Sequence, residues 1–277
     1  MKENQLPRPD EALLAAARVG EPSAIEALLE RYQDRVFGFG LRMCGDIEDA
    51  KDVLQDTLLA AARTVGEFRG DASVSTWLYT IARSFCIKRR RRSKFAPPEQ
   101  ISIDGATFDL PSSAPGPEEL AARDEVKAAL TGALDALDTA SREVIVLRDI
   151  EGLTAPEVAA VTGASVDATK SRLHRARAAV RENLAAALGD AVEAPAAGCP
   201  DVLIAFSKQT EGDLEPHLCA ELQSHIRGCA TCRATCDSLK RTLAACASGP
   251  PGPVPDSVRD SVRAALRTAL AVPPSTR

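Results

Sequence analysis

A chain of 277 residues that is 45% hydrophobic can bury a core, but its 18 prolines and 17 glycines gather at a few places and favour two or three small domains. The formal charge of -5 would argue against a nucleic-acid partner if it were evenly spread. It is not: Lys88, Arg89, Arg90, Arg91, Arg92 and Lys94 form one basic block, and Lys170, Arg172, Arg175, Arg177 and Arg181 form another. No uncharged apolar run reaches the roughly 18 residues of a membrane span, and the N-terminus has no signal-peptide core. The expectation is a cytoplasmic chain with no membrane partner, in a compartment where thiols stay reduced, so its eight cysteines suggest metal or redox chemistry rather than structural disulfides.

Aromatics make up only 4% of the chain, and Ala and Leu recur at three- and four-residue intervals, which predicts an all-α fold. A first helical domain spans 11–94, with Leu13, Ala16, Ala24, Leu28, Tyr32 and Val36 stepping along apolar faces. Prolines, glycines and serines interrupt every candidate helix over 95–117, which reads as a flexible linker. Helical patterning resumes over 118–188, broken at Gly152 and Gly163. A short hinge follows, then a compact Cys/His-rich segment over 199–246, then a tail over 254–277. In the tail, a helix capped at Asp256 or Ser257 places Val258, Val262, Ala265, Leu266, Ala269 and Leu270 on one face, which needs a surface to dock against.

Within 118–188, Thr154 and Glu157 have capping-box spacing, with Pro156 in a first turn whose N–H groups lack helical partners anyway. Gly163 supplies a turn and Ser165 or Asp167 caps a second helix, giving the spacing of a helix-turn-helix. On that second helix Leu173, Ala176, Val180 and Leu184 form an apolar stripe. Ser171, His174 and Arg175 point away from it, and Lys170 and Arg172 flank it. Arginine can donate two hydrogen bonds to guanine in the major groove while flanking cations hold phosphates. The alternative is a solvated charged face, and the paired caps around a glycine turn favour DNA.

The Cys/His-rich segment contains His225, Cys229 and Cys232 as H-x3-C-x2-C, with Cys199 upstream. One imidazole and three thiolates suit tetrahedral Zn²⁺ and also Cd²⁺ or Cu(I). Cys236, one turn beyond Cys232, reads equally as an additional ligand or as a buried residue on a stripe with Leu239, Leu243 and Cys246. Cys219 is open between the two roles. Cys44 and Cys86 lack companions at ligand spacing and read as core, and His217 has no clear partner.

The stretch ALDALDTASREVIVLRDIEGLTAPEVAAVTGASVDATKSRLHRARAAVRE resembles the fourth conserved region of extracytoplasmic-function sigma factors, which reads the minus-thirty-five promoter element. The resemblance implies DNA contacts from Thr169, Lys170, Ser171, Arg172 and Arg175. The first domain resembles conserved region two. Its segment IEDAKDVLQDTLLAAART resembles the helix that docks on RNA polymerase, which implies polymerase contacts from Asp49, Asp52, Val53, Gln55, Asp56 and Leu58, with Val53 and Leu58 also fitting a core role. The segment EFRGDASVSTWLYTIARSFCIKRRRR resembles the helix that melts and reads the minus-ten element. Opening a duplex calls for cations on the backbone and surfaces for unstacked bases, and Arg83, Lys88, Arg89 and Arg90 lie in this segment beside Phe68, Trp77 and Tyr79. Trp77 and Tyr79 fit a core role better than a stacking role. Ser84 and Lys88 depart from the Asn and Asp common in the family.

The Cys/His-rich segment resembles the zinc-binding anti-sigma domain, here fused to the sigma-like part as in the CorE-like group, whose tail senses copper, cadmium or zinc. The resemblance implies a transcription initiation factor with RNA polymerase core and promoter DNA as partners, no catalysis of its own, and a metal-regulated tail that docks on the sigma domains. A polymerase-independent repressor, a structural zinc, a redox-sensing tail and a zinc hydrolase are the alternatives. The last is disfavoured because four protein ligands leave no site for an activated water.

Overall fold

The computed structural model describes residues 9–93, 117–189, 198–247 and 254–271, which contain twelve α-helices and no strand. The fold is all-α. The linker expected over 95–117 lies, apart from Pro117, outside the described residues. Two compact units form. One consists of residues 1–110 with 251–277, and the other of 111–250.

The first unit is built on α1 (Asp10–Arg18), α2 (Pro22–Cys44), α3 (Ile47–Thr64) and α4 (Val74–Ser93). Gly45, with φ of 74°, ends α2 in the left-handed conformation that glycine adopts most cheaply, and Asp46 then caps α3 by accepting from the Asp49 amide at 2.8 Å. Helices α2 and α3 pack closely at Gly40, where an added Cβ would sit 3.4 Å from the Ala50 Cα. Leu28, Leu29, Phe37, Phe39, Val53, Leu54, Leu58, Leu78 and Tyr79 fill the core, and Phe39 meets Tyr79 with ring centroids 5.3 Å apart.

The tail helix α12 (Asp256–Ala271) belongs to this unit. It begins with Asp256 inside the first turn rather than as its cap. Val258, Val262 and Leu266 are buried against α2 and α3, flanked by ion pairs of Arg259 to Asp34 (3.3 Å), Arg263 to Glu30 (2.9 Å) and Arg267 to Glu26 (3.4 Å). The apolar stripe carries the attachment, because exposed ion pairs add about 1 kcal/mol at most.

The second unit holds α5 (Pro117–Asp135), α6 (Thr139–Ile145) continued by a π-helical turn (Val146–Ile150), α7 (Ala155–Thr162), α8 (Val166–Ala187), α9 (Val202–Thr210), α10 (Pro216–Gly228) and α11 (Ala230–Ala247). Helix α8 is its axis and packs against α5, α6, α7, α9 and α11. Thr154 and Glu157 form the expected capping box, Gly163 turns with φ of 73°, and Ser165 caps α8 through the Ala168 amide at 3.1 Å. Ser165 therefore takes the capping role left open between it and Asp167.

Candidate nucleic-acid interface and metal centre

Helix α8 carries the sequence-predicted DNA face. Leu173, Ala176, Val180 and Leu184 are buried, as their spacing requires, while Ser171 and Arg175 are exposed and Arg172 is half-buried. Thr169 corrects the expected contact set. It is 0% exposed, and its hydroxyl points inward, because it stands four residues before Leu173 on the apolar stripe. Arg177 and Arg181 are also buried, so the second basic block divides between the two sides of the helix.

The burial of Arg177 has a specific cause. Its guanidinium pairs with Asp149 at 2.6 Å and Glu211 at 2.8 Å and donates to the Ser207 hydroxyl at 2.9 Å. Burial disfavours its charge, but the Asp149 and Glu211 carboxylates outweigh that and hold its pKa above the ordinary guanidinium value. Glu211 also holds Arg148 of the π-helical turn at 3.0 Å. Two residues on, Asp213 takes Lys170, an expected DNA contact, at 2.6 Å. The acidic loop between α9 and α10 is thus seated on the N-terminal half of the predicted recognition helix. Sequence reasoning missed Asp149, Glu211 and Asp213; the cluster of acids in EGDLE opposite a basic block was the available signal.

In the first unit the acidic residues of α3 and the cations of α4 face one another. Arg89 lies between Asp52 (2.6 Å), Asp49 (3.2 Å) and Asp56 (3.8 Å). Three expected polymerase contacts and one expected DNA contact therefore share a charge cluster. Val53 and Leu58, 0% and 1% exposed, are core residues rather than surface contacts, since both lie on the inward face of α3. Gln55 is half-buried. Lys88 is exposed, and Arg83 and Arg90 are half-buried. Trp77 stacks on Phe68 with centroids 4.8 Å apart and stays partly exposed, whereas Tyr79 is core.

Cys199, His225, Cys229 and Cys232 converge, with one ligand atom from each lying within 4.8 Å of all the others. Cys199 precedes α9, His225 lies in the last turn of α10, and Cys229 and Cys232 flank the start of α11. The Cys199 and Cys229 sulfurs are 3.9 Å apart, and His225 Nε2 is 3.2 Å from the Cys232 sulfur. Tetrahedral Zn–S bonds of about 2.3 Å place sulfurs about 3.8 Å apart, so the donor set fits one such ion. Burial, together with the Cys199 and Cys229 sulfurs, pushes the Cys232 thiol up to about 12. Hydrogen bonds, first from the Cys232 amide, lower Cys229. Cys219 and Cys236, carried as additional ligands, lie outside this group. Cys236 is buried with Val202 and Leu222, and the Cys219 sulfur is 3.5 Å from the Gln223 amide nitrogen. Cys246 is buried along the same side of α11, where Thr242 takes the inward place expected for Leu243. His217 sits 3.3 Å from Glu215.

Residues 28–95 match the family model of sigma-70 region 2, and residues 127–180 match that of sigma-70 region 4. The RNA polymerase sigma-H factor of Pseudomonas aeruginosa is 31% identical over 194 residues, covering 66% of this chain and 97% of that protein. The ECF RNA polymerase sigma factor SigM of Mycobacterium tuberculosis is 34% identical, covering 62% of this chain and 82% of its own. The RNA polymerase sigma factor NccH of Alcaligenes xylosoxydans xylosoxydans is 36% identical, covering 62% and 92%. The Cys/His cluster lies beyond both family matches. With a region-2 and a region-4 module in order along one chain, the protein belongs to the extracytoplasmic-function sigma factors of the sigma-70 family, transcription initiation factors that bind DNA and are not enzymes.

Proposed function

We propose that this sigma factor directs RNA polymerase core to a specific set of promoters and that metal binding at its Cys/His tail gates that activity. In this reading 11–94 holds the polymerase through Asp49, Asp52, Gln55 and Asp56 and engages the minus-ten element through Trp77, Arg83, Lys88, Arg89 and Arg90. The span 118–188 reads the minus-thirty-five element through Lys170, Ser171, Arg172 and Arg175. The protein works in the cytoplasm, where polymerase and promoter meet.

The carrying observation is the acidic loop on α8. Asp213 neutralises Lys170, and Glu211 ties the loop to Arg148 and Arg177. A docked loop of this charge opposes the approach of phosphates to the same helix. Cys199 lies just before α9 and Glu211 just after it, so a nine-residue helix, about 14 Å long, links the metal ligands to the loop. The ligands Cys199, His225, Cys229 and Cys232 would hold Zn²⁺, Cd²⁺ or Cu(I), and an ion bound among them would tie the start of α9 to α10 and α11 in the arrangement in which the loop is docked. The ion shifts the equilibrium only by its difference in affinity between the docked and released loop.

The test is run-off transcription with purified core polymerase on a cognate promoter, with Zn²⁺, Cd²⁺ or Cu(I) added in turn and bound metal measured in parallel. Promoter-specific starts that vary with metal, and that lose this dependence in Cys229→Ser with Cys232→Ser, are expected. Metal-independent starts in the intact chain refute the gate, and absence of any start refutes the promoter reading.

A further inference from the structure

Two cysteines outside the metal cluster stand together. Cys44 is the last residue of α2, and Cys86 lies in α4, 42 positions later, yet their sulfurs are 3.7 Å apart. Both are thiols, and neither belongs to the Cys/His group of the tail. Cys86 is 2% exposed, while Cys44 is half-buried and reachable by a small oxidant. The hydrogen bond with Cys86 lowers the pKa of the Cys44 thiol; burial and Asp49 oppose this, and Arg89 and Arg90 assist it. A disulfide bond is about 2.05 Å long, so closure asks the two sulfurs to approach by about 1.7 Å.

We infer that Cys44 and Cys86 form a peroxide-reactive dithiol that closes to a disulfide between α2 and α4. The Cys44 thiolate attacks one oxygen of hydrogen peroxide, the O–O bond breaks, and with one proton taken up the products are a Cys44 sulfenic acid and water. The Cys86 sulfur then attacks the Cys44 sulfur. The S–S bond forms, hydroxide leaves, and the Cys86 proton makes it a second water. Overall, the two thiols lose two electrons and two protons, and the peroxide is reduced to two waters. Cytoplasmic disulfides of this kind are transient and reversed by thiols.

The bond would fasten α4 to α2 beside Arg89, three residues beyond Cys86. The helix that carries the cations of the first unit would then have less freedom to shift. The inference stands on the placement of the two sulfurs and holds whether or not the tail is a metal switch.

The full-length chain is treated with hydrogen peroxide, alkylated, digested and analysed by mass spectrometry. A linked peptide joining Cys44 to Cys86, two hydrogens lighter than its separate parts and released by dithiothreitol, is expected. Melting of the wild-type chain should rise by several degrees with peroxide, and melting of Cys44→Ser, a change at a half-buried helix end, should not. Recovery of both cysteines alkylated after the tail cysteines have been oxidised overturns the inference. So does over-oxidation of Cys44 with Cys86 untouched. Both outcomes are read on the wild-type chain and do not depend on a variant folding.

Discussion

Replacing Arg177 by Met tests the contact on which the proposed gate rests. The change keeps most of the side-chain length and removes the charge, leaving Asp149 and Glu211 facing each other with side chains only 5% and 4% exposed. Removing one member of a buried ion pair costs about 3–5 kcal/mol, since the remaining charges are neither solvated nor paired. Arg148 still neutralises part of Glu211, which places the expected loss near the lower end. For a unit of this size that corresponds to a fall in melting temperature of roughly 10 °C. Differential scanning calorimetry on Arg177→Met, Glu211→Gln and their combination gives a double-mutant cycle, with an expected coupling of about 1–3 kcal/mol. The triple variant that adds Asp149→Asn should recover part of the loss, because the one charge of the cluster then left without its carboxylate is Arg148, which is 21% exposed and also donates to the Thr210 carbonyl. A loss below about 1 kcal/mol for Arg177→Met, or a coupling near zero, means that Glu211 does not sit on α8 and that the tail does not cover the recognition helix.

Asp138 caps α6 by accepting from the Ser141 hydroxyl at 2.6 Å and from two amides, and these bonds, led by the Ser141 hydroxyl, hold its carboxyl below the usual range. The unfolded chain therefore binds the proton more readily, so the contribution is complete above the unfolded pKa and fades as pH falls through the lower folded value. Asp138→Ala should cost about 1 kcal/mol at neutral pH, with the two melting curves converging in acid; a gap unchanged by pH contradicts the assignment. Leu173→Ala, at a position 0% exposed on α8, should cost about 2–5 kcal/mol in denaturant unfolding, whereas the exposed Ser171→Ala should leave stability unchanged and alter only promoter affinity. Val262→Asp places a carboxylate beneath α12 and should release that helix, seen as faster hydrogen exchange over 256–271. Unchanged protection there would mean that α12 does not depend on its apolar stripe.

The helix-turn-helix was legible because each of its parts is local. A capping box, a glycine turn and a serine cap act over three or four residues, and Leu173, Ala176, Val180 and Leu184 repeat at the helical period. The convergence of the Cys/His cluster was legible for a similar reason, since CxxC and the histidine one turn earlier lie on neighbouring stretches of backbone. Cys199 is the longer reach, and the return of the chain through α9 and α10 brings it in.

What the residues alone determined, then, was the all-α fold, the helix-turn-helix pattern and a set of donors that suits a metal. Which cations of that helix remain available was decided by tertiary structure. The helical period already places Thr169 on the stripe of Leu173, although the resemblance made it a contact, whereas only packing reveals that Arg177 is buried between Asp149 and Glu211. The pairing of Cys44 with Cys86, of Arg89 with three aspartates of α3, and of α12 with α2 and α3 likewise joins residues tens to hundreds of positions apart. The physical reason is reach: caps and helical periods act within one or two turns of backbone, whereas charge pairing and burial depend on distances that exist only after the helices have packed.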